Sequence, residues 1–242
     1  MRLKPKQDVL TDDPMSFFAV DSTTLYAVSI RPFIQGLPSM SKPWRQGPFR
    51  GRRLTAINVS PTLLFRLAYE VSPCRVQNQL PDSLRRYDDL SRVCFDLIVS
   101  PGQTPSQLLA TMREELSRYS AVRASWVTVR QPVYVLRRRA GTPPLVASTK
   151  PPTSSSSGGE FMMQGSPLEP LRDYLENELG KPVMDETGLT GKYDVAFPVE
   201  SENLKPSLTA ALSQRGLELQ EDTRDVQVLR LTAAPASAAA RK

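Results

Sequence analysis

The sequence predicts an α+β protein of two β-α-β-β-α-β-β modules, each a small mixed sheet with two helices packed on one face. Three observations carry this. Short alternating strands interleave with segments of helical period along the chain. The helix starts reuse one device, a Ser or Thr followed by proline, at Ser60-Pro61, Thr104-Pro105 and Ser166-Pro167. An aromatic residue followed by aspartate leads a strand twice, as Phe95-Asp96 and as Tyr193-Asp194, each with a helix after it.

Residues 1–20, with Pro5, Asp12, Asp13 and Pro14, read as a loose lead-in. The first module is expected over 21–140. It opens with a strand at Leu25–Ile30, then a Pro/Gly/Ser-rich loop from Gly36 to Gly51, then the alternating strand Leu54–Val59. A helix follows from Thr62 to Glu70, with Leu63, Leu64, Leu67 and Ala68 as its apolar stripe. A strand opened by Cys74, a polar loop, the Phe95-Asp96 strand and a helix bearing Leu108, Leu109, Met112 and Leu116 come next. Val122–Val129 and Pro132–Leu136 read as a closing hairpin turned at Arg130-Gln131. Residues 141–160 are rich in Pro, Ser, Thr and Gly, the composition of a flexible linker.

The second module, 161–232, repeats the order in shorter form. Phe161–Met163 is a strand; a helix carries Leu171, Tyr174, Leu175 and Leu179 and stops at Gly180. Pro182–Met184 and Tyr193–Val199 are strands, Leu204–Arg215 a helix, and Leu217–Leu219 with Val226–Leu231 a second closing pair. The Ala-rich tail, 233–242, reads as disordered.

The net charge of +6 divides unevenly. Up to Lys150 there are 22 Lys and Arg against 11 Asp and Glu, and beyond it 9 against 14, so the halves carry +11 and −5. A basic half suits an anionic partner such as nucleic acid, a headgroup surface or an acidic protein face. It equally suits a basic module beside an acidic one. Histidine is absent, which removes Ser-His-Asp and Cys-His activation, the helical His-Glu-x-x-His zinc site and imidazole acid-base roles. No residue pattern calls for a catalytic centre, a cofactor or a metal, and no apolar run reaches the roughly 18 residues of a membrane span. The basic N-terminus is not followed by an apolar h-region, so the reading is either a cytoplasmic protein or a leader beyond this sequence. Cys74 and Cys94 form a disulfide if their two strands pair antiparallel, and stay as buried thiols in a reducing compartment otherwise.

Candidate binding residues are basic and aromatic. Trp44, Arg45, Phe49, Arg50, Arg52 and Arg53 interleave rings with guanidinium groups, as single-stranded nucleic-acid surfaces do, and Arg137, Arg138 and Arg139 form a second cluster at a strand end. The plainer reading of the first group is a solvated loop whose Trp44 covers the core edge. Gly188-Leu189-Thr190-Gly191-Lys192 lacks the spacing and the following helix of a phosphate loop, so Gly188 and Gly191 are expected to supply positive φ in a turn. Ser39-Met40-Ser41-Lys42 lies between prolines and lacks the companion motifs of Ser-x-x-Lys acyl enzymes. Asp96 and Asp194 are expected to cap a turn or pair with an arginine across the sheet.

One segment also carries a family resemblance. Asp185-Glu186-Thr187-Gly188-Leu189-Thr190-Gly191-Lys192-Tyr193-Asp194, with Leu67-Ala68-Tyr69-Glu70, Val28-Ser29-Ile30-Arg31-Pro32 and Gln131-Pro132-Val133-Tyr134-Val135-Leu136, resembles an uncharacterised family of envelope proteins from soil bacteria of the acidobacterial type. Glu70 stands where that family has glycine after Ala-Tyr. The repeated module is also similar to the short N-terminal domain of secretins and TonB-dependent receptors, a protein-interaction module. The resemblance implies a periplasmic or extracellular, non-enzymatic protein that binds another protein or an envelope polymer. The rival expectation is a cytoplasmic nucleic-acid-binding protein using the arginine-rich first half.

Overall fold

The computed structural model describes residues 18–44, 47–85, 91–142 and 145–234. Arg45, most of the lead-in and most of the Ala-rich tail lie outside them. The fold is α+β, with three sheets and five helices among the described residues. The chain divides into two compact units. The first comprises 1–71, 78–125 and 230–242; the second comprises 72–77 and 126–229. These limits differ from the expected modules, because the ends of two long strands belong to the first unit and their bodies to the second.

The first unit is built on a wholly antiparallel sheet of β1 (Ala27–Pro32), β2 (Met40–Pro43), β3 (Arg53–Val59) and β5 (Val93–Ile98), in the order β1-β5-β3-β2. β2 lies inside the segment expected to be loop. All seven residues of β3 are buried, so both faces of the strand are covered. The alternation puts Ile57 with Cys94 and Phe18 in one cluster, beside Ile34, Leu37, Met40 and Trp44. Helices α1 (Pro61–Tyr69) and α3 (Pro105–Tyr119) pack on one another, and α1 also on β3. Their buried stripes are Leu64, Phe65 and Ala68, and Leu108, Met112 and Leu116. Both helix starts follow the expected device. Ser60 accepts from the Leu63 N–H at 3.2 Å, and Thr104 forms a reciprocal box with Gln107. Each such cap contributes about 1 kcal/mol. A short helix, α2 (Asp82–Arg85), falls in the expected polar loop.

β3 and β5 carry a bulge between Ala56 and Val59. Asn58 sits there with φ of 50°, and its buried side chain accepts from the Ile34 N–H and donates to the Ile34 and Leu37 carbonyls. One amide thus replaces ladder partners for a whole turn of loop.

The second unit contains β7 (Thr153–Ser157), β8 (Glu160–Ser166) and β10 (Tyr193–Pro198), an antiparallel sheet in the order β10-β8-β7. The serines expected to be flexible linker are therefore an edge strand, hydrogen-bonded to β8 on one side. A further sheet has the order β4-β11-β6-β9, formed by β4 (Val76–Asn78), β6 (Val122–Arg138), β9 (Val183–Asp185) and β11 (Leu217–Ala233). β6 pairs with β9 in parallel, which makes this the mixed sheet. β6 and β11 are each one strand of 17 residues where a hairpin was expected. Neither Arg130-Gln131 nor the Glu221–Asp225 stretch supplies the glycine or asparagine that a tight hairpin turn requires.

Helices α4 (Glu169–Leu179) and α5 (Leu204–Ser213) complete the unit. The core unites Leu171 and Leu175 of α4, Leu208 and Leu212 of α5, Phe161 and Met163 of β8, and Val195 and Phe197 of β10. Gly180 closes α4 in the left-handed region, as its position predicts. Ser166 does not cap α4: its hydroxyl bonds the Thr153 and Gln164 carbonyls instead. Along the chain β3, α1, β4, α2, β5, α3 and β6 are followed by β7, β8, α4, β9, β10, α5 and β11; β2 pairs with β3, and β7 with β8.

Candidate functional site

The first group of candidate residues does not form a surface. Arg53 is 4% exposed and Asp96 2% exposed, and they meet in a bidentate ion pair, Nε to Oδ1 at 2.9 Å and Nη2 to Oδ2 at 3.0 Å. Arg53 also donates to the Phe18 carbonyl at 2.6 Å, and its guanidinium lies 4.5 Å from the Trp44 ring centroid. Trp44 donates to Thr55 Oγ1, which donates to Asp96 at 2.6 Å. Arg52 is spent on the Pro48, Thr24 and Val99 carbonyls, with Phe49 under its guanidinium and itself buried. Charges taken out of water must be matched this fully to be tolerated. The group is an internal polar knot, and among its described members only Arg50 is an exposed cation. Asp96 pairs with an arginine across the sheet, as expected.

The two cysteines are free thiols, which corrects the disulfide alternative. Cys74 lies on a 3-10 turn (Pro73–Arg75) and not on a strand, beside the Ser72 hydroxyl, while Cys94 contacts Asn58. Burial pushes both thiols up, so neither is poised as a nucleophilic thiolate. Glu176 of α4 gathers the same turn: Arg75 donates to Oε1 from Nε at 2.7 Å, Ser72 donates to Oε2, and the Val183 N–H donates at 2.9 Å. Burial raises the Glu176 pKa, but the hydrogen bonds from Arg75, Ser72 and Val183 outweigh it and hold it below the ordinary value. This carboxylate clasps the turn to α4 and β9. Nothing in the sequence distinguished Glu176 from its solvated helical neighbours.

The Asp185–Asp194 segment is a wound turn whose side chains hold its own backbone. Asp185 accepts from the Thr187 N–H at 2.9 Å and the buried Thr187 accepts from the Leu189 N–H at 3.1 Å. Gly188 has φ of 66°, as expected. Gly191 does not adopt positive φ; the expectation is corrected by a steric reason, since a Cβ there would stand 2.8 Å from the Tyr193 hydroxyl oxygen. Asp194 accepts from Lys150 Nζ at 2.7 Å and from the Gly165 N–H at 2.8 Å. The hydrogen bond from Lys150, then those from Ser148 and Gly165, lower its pKa to about 2. Asp96 and Asp194 thus lie in separate units with different partners, Arg53 and Lys150.

The second basic cluster and this turn meet at one cleft of the second unit. Arg137 is committed to Glu186, which it reaches at 2.7 Å, and to Gln220. Arg138 and Arg139 are exposed and line a cleft of about 280 Å³ with Arg215, Leu145, Leu189 and Leu217. The Arg139 N–H donates to the Gly216 carbonyl at 2.8 Å, which fixes the cleft floor. Arg215 lies 5.2 Å over the Phe197 ring and donates to the Ala211 and Ala196 carbonyls; burial lowers its pKa. Among the described residues no carboxylate lies within ion-pair distance of Arg138, Arg139 or Arg215. Arg138 and Arg139 were the legible signal, a basic cluster at a strand end. Leu189 stood out only as part of a structural turn, and Arg215, Leu145 and Leu217 carried no signal.

Fold and site define an α+β protein with a basic, leucine-walled cleft beside a rigid motif turn. Residues 62–234 match the family described as protein of unknown function (DUF3738), and the chain belongs to that family. No curated protein and no solved structure matches the chain. No described helix is long and apolar enough to cross a membrane.

Proposed function

We propose that the chain is a non-enzymatic binding protein of the cell envelope, which recognises a partner protein or envelope polymer through an anionic group at the Arg138–Arg139 cleft. The observation that carries this reading is three arginines in one concavity without a carboxylate partner among the described residues. Arg137, next to them, shows what a satisfied arginine looks like in the same strand. The raised thiols of Cys74 and Cys94 and the fully bonded Glu176 agree with a binding role. The order β-α-β-β-α-β of the second half, matched in the first apart from the short α2, supports reading the chain as a duplicated interaction module. The nucleic-acid alternative loses Arg52 and Arg53, which are buried, and keeps Arg50.

The test is co-sedimentation of purified protein with envelope fragments over a salt series, joined to fractionation of cells for the native protein. Binding is expected to weaken with salt and to be lost in R138E/R139E but retained in R50E. Equal sedimentation of wild type and R138E/R139E, or recovery of the native protein in the cytoplasmic fraction, would overturn the reading.

A further inference from the structure

We infer that the Arg138–Arg139 cleft captures the free C-terminal carboxylate of a partner polypeptide whose last residue is aliphatic. This rests on the reading of the cleft as the binding site and adds the chemistry of what enters it. Charge selects an anion first. Arg215 is held by two backbone carbonyls and the Phe197 ring, and Arg137 by Glu186, so the guanidinium forks of Arg138 and Arg139 remain for the ligand. A planar fork matches a carboxylate through two parallel N–H···O bonds.

The wall selects an apolar neighbour to that carboxylate. Leu145 and Leu189, both half-buried, line the same space as the fully buried Leu217, and a bare inorganic anion would leave those two side chains uncovered. An aliphatic side chain one bond from the carboxylate carbon's α-carbon reaches them while the oxygens stay on the arginines. Size selects a single terminal residue. The cleft, about 280 Å³, falls just below the roughly 300–1,000 Å³ of sites for drug-sized molecules. Capture of a chain terminus is one of the recurrent modes of peptide recognition. The turn that presents Leu189 is held by Asp185 and Thr187, so the wall is preformed.

The experiment is calorimetric titration of the full chain with an N-acetylated pentapeptide ending in leucine and with its C-terminal amide, alongside hexanoate and inorganic phosphate. The free acid is expected to bind at least tenfold more tightly than the amide, and more tightly than hexanoate or phosphate. R138A/R139A is expected to lose at least tenfold on the acid with an unchanged thermal midpoint, and R138K/R139K to lose less. Equal binding of acid and amide, binding of hexanoate or phosphate as tight as the peptide, or no binding of the acid overturns the inference. Arginine-dependent co-sedimentation together with any of those results leaves the anionic-partner reading standing and this inference overturned.

Discussion

The Tyr193 hydroxyl is packed against the backbone of Gly191 and accepts its N–H at 3.3 Å. A Cβ at 191 would lie 2.8 Å from that oxygen and 3.0 Å from the ring carbon bearing it. Tyr193 is itself buried in the core of the second unit, so the ring cannot swing away freely. Gly-Lys-Tyr-Asp is therefore one structural device: glycine for the ring, tyrosine for the core, aspartate for Lys150 and Gly165. Gly191→Ala is expected to destabilise the chain by about 1–3 kcal/mol through overpacking. Tyr193→Phe should recover part of that in the double variant, because it removes the nearer atom. Urea denaturation of the four proteins of the cycle measures the coupling, and strictly additive effects would refute the packing argument.

Glu70 is the αL residue that ends α1, with φ of 52°, and its N–H bonds back to Arg66 and Leu67 carbonyls. A left-handed residue with a Cβ costs about 1–2 kcal/mol. Glycine relieves that cost at the price of greater freedom in the unfolded chain. Glu70→Gly is expected to stabilise the protein by about 1 kcal/mol, seen as a higher urea midpoint with unchanged slope. A lower midpoint would show that the glutamate side chain holds something the backbone argument omits.

How far the sequence could be read depended on whether a feature was local. Caps, turns and stripes are local, and Ser60, Thr104, Gly180 and Gly188 act as their positions imply. The fate of Arg52 and Arg53 is not local. A run of arginines beside Trp44 and Phe49 reads as solvated until Asp96, 43 residues on from Arg53, arrives on the neighbouring strand. The serine strand β7 was invisible because it is exposed on both faces, so no alternation marks it. β6 misled in another way, since the polar Arg130-Gln131 pair followed by Pro132 inside a continuous strand resembles a turn. The cleft was half legible: Arg138 and Arg139 stood out as a basic cluster, whereas Leu189, read only as part of a structural turn, and Arg215 join them through the fold.

The Arg53–Asp96 pair should behave as a unit. Asp96→Ala leaves a buried guanidinium without its carboxylate and is expected to cost about 3–5 kcal/mol. The double replacement Arg53→Met with Asp96→Leu removes both charges and is expected to cost markedly less than the two single changes summed. Because Trp44 stacks on Arg53 and bonds Thr55, its fluorescence reports the same event. A cost for Asp96→Ala below about 1 kcal/mol, the range of exposed pairs, would mean the knot is open to water.

Acid sensitivity follows from the carboxylates that the fold holds ionised. Asp194 titrates at about 2 in the folded protein against an ordinary 3.8, chiefly because Lys150 donates to it, and Glu176 is also held below 4.5 by Arg75 and Ser72 against its burial. Between the folded and unfolded values the unfolded chain binds the proton and the folded chain does not, so stability falls as the pH falls. The contribution of Asp194 is full above the unfolded value near 4 and is lost as the pH drops to about 2. Asp194→Asn keeps an acceptor for the Gly165 N–H but cannot titrate. Urea midpoints measured from pH 5 down to pH 2 should therefore decline less steeply in Asp194→Asn than in the wild type, with the two curves converging at the acid end. Curves that stay parallel over that window would show that Asp194 is not held by Lys150 and Gly165 in solution.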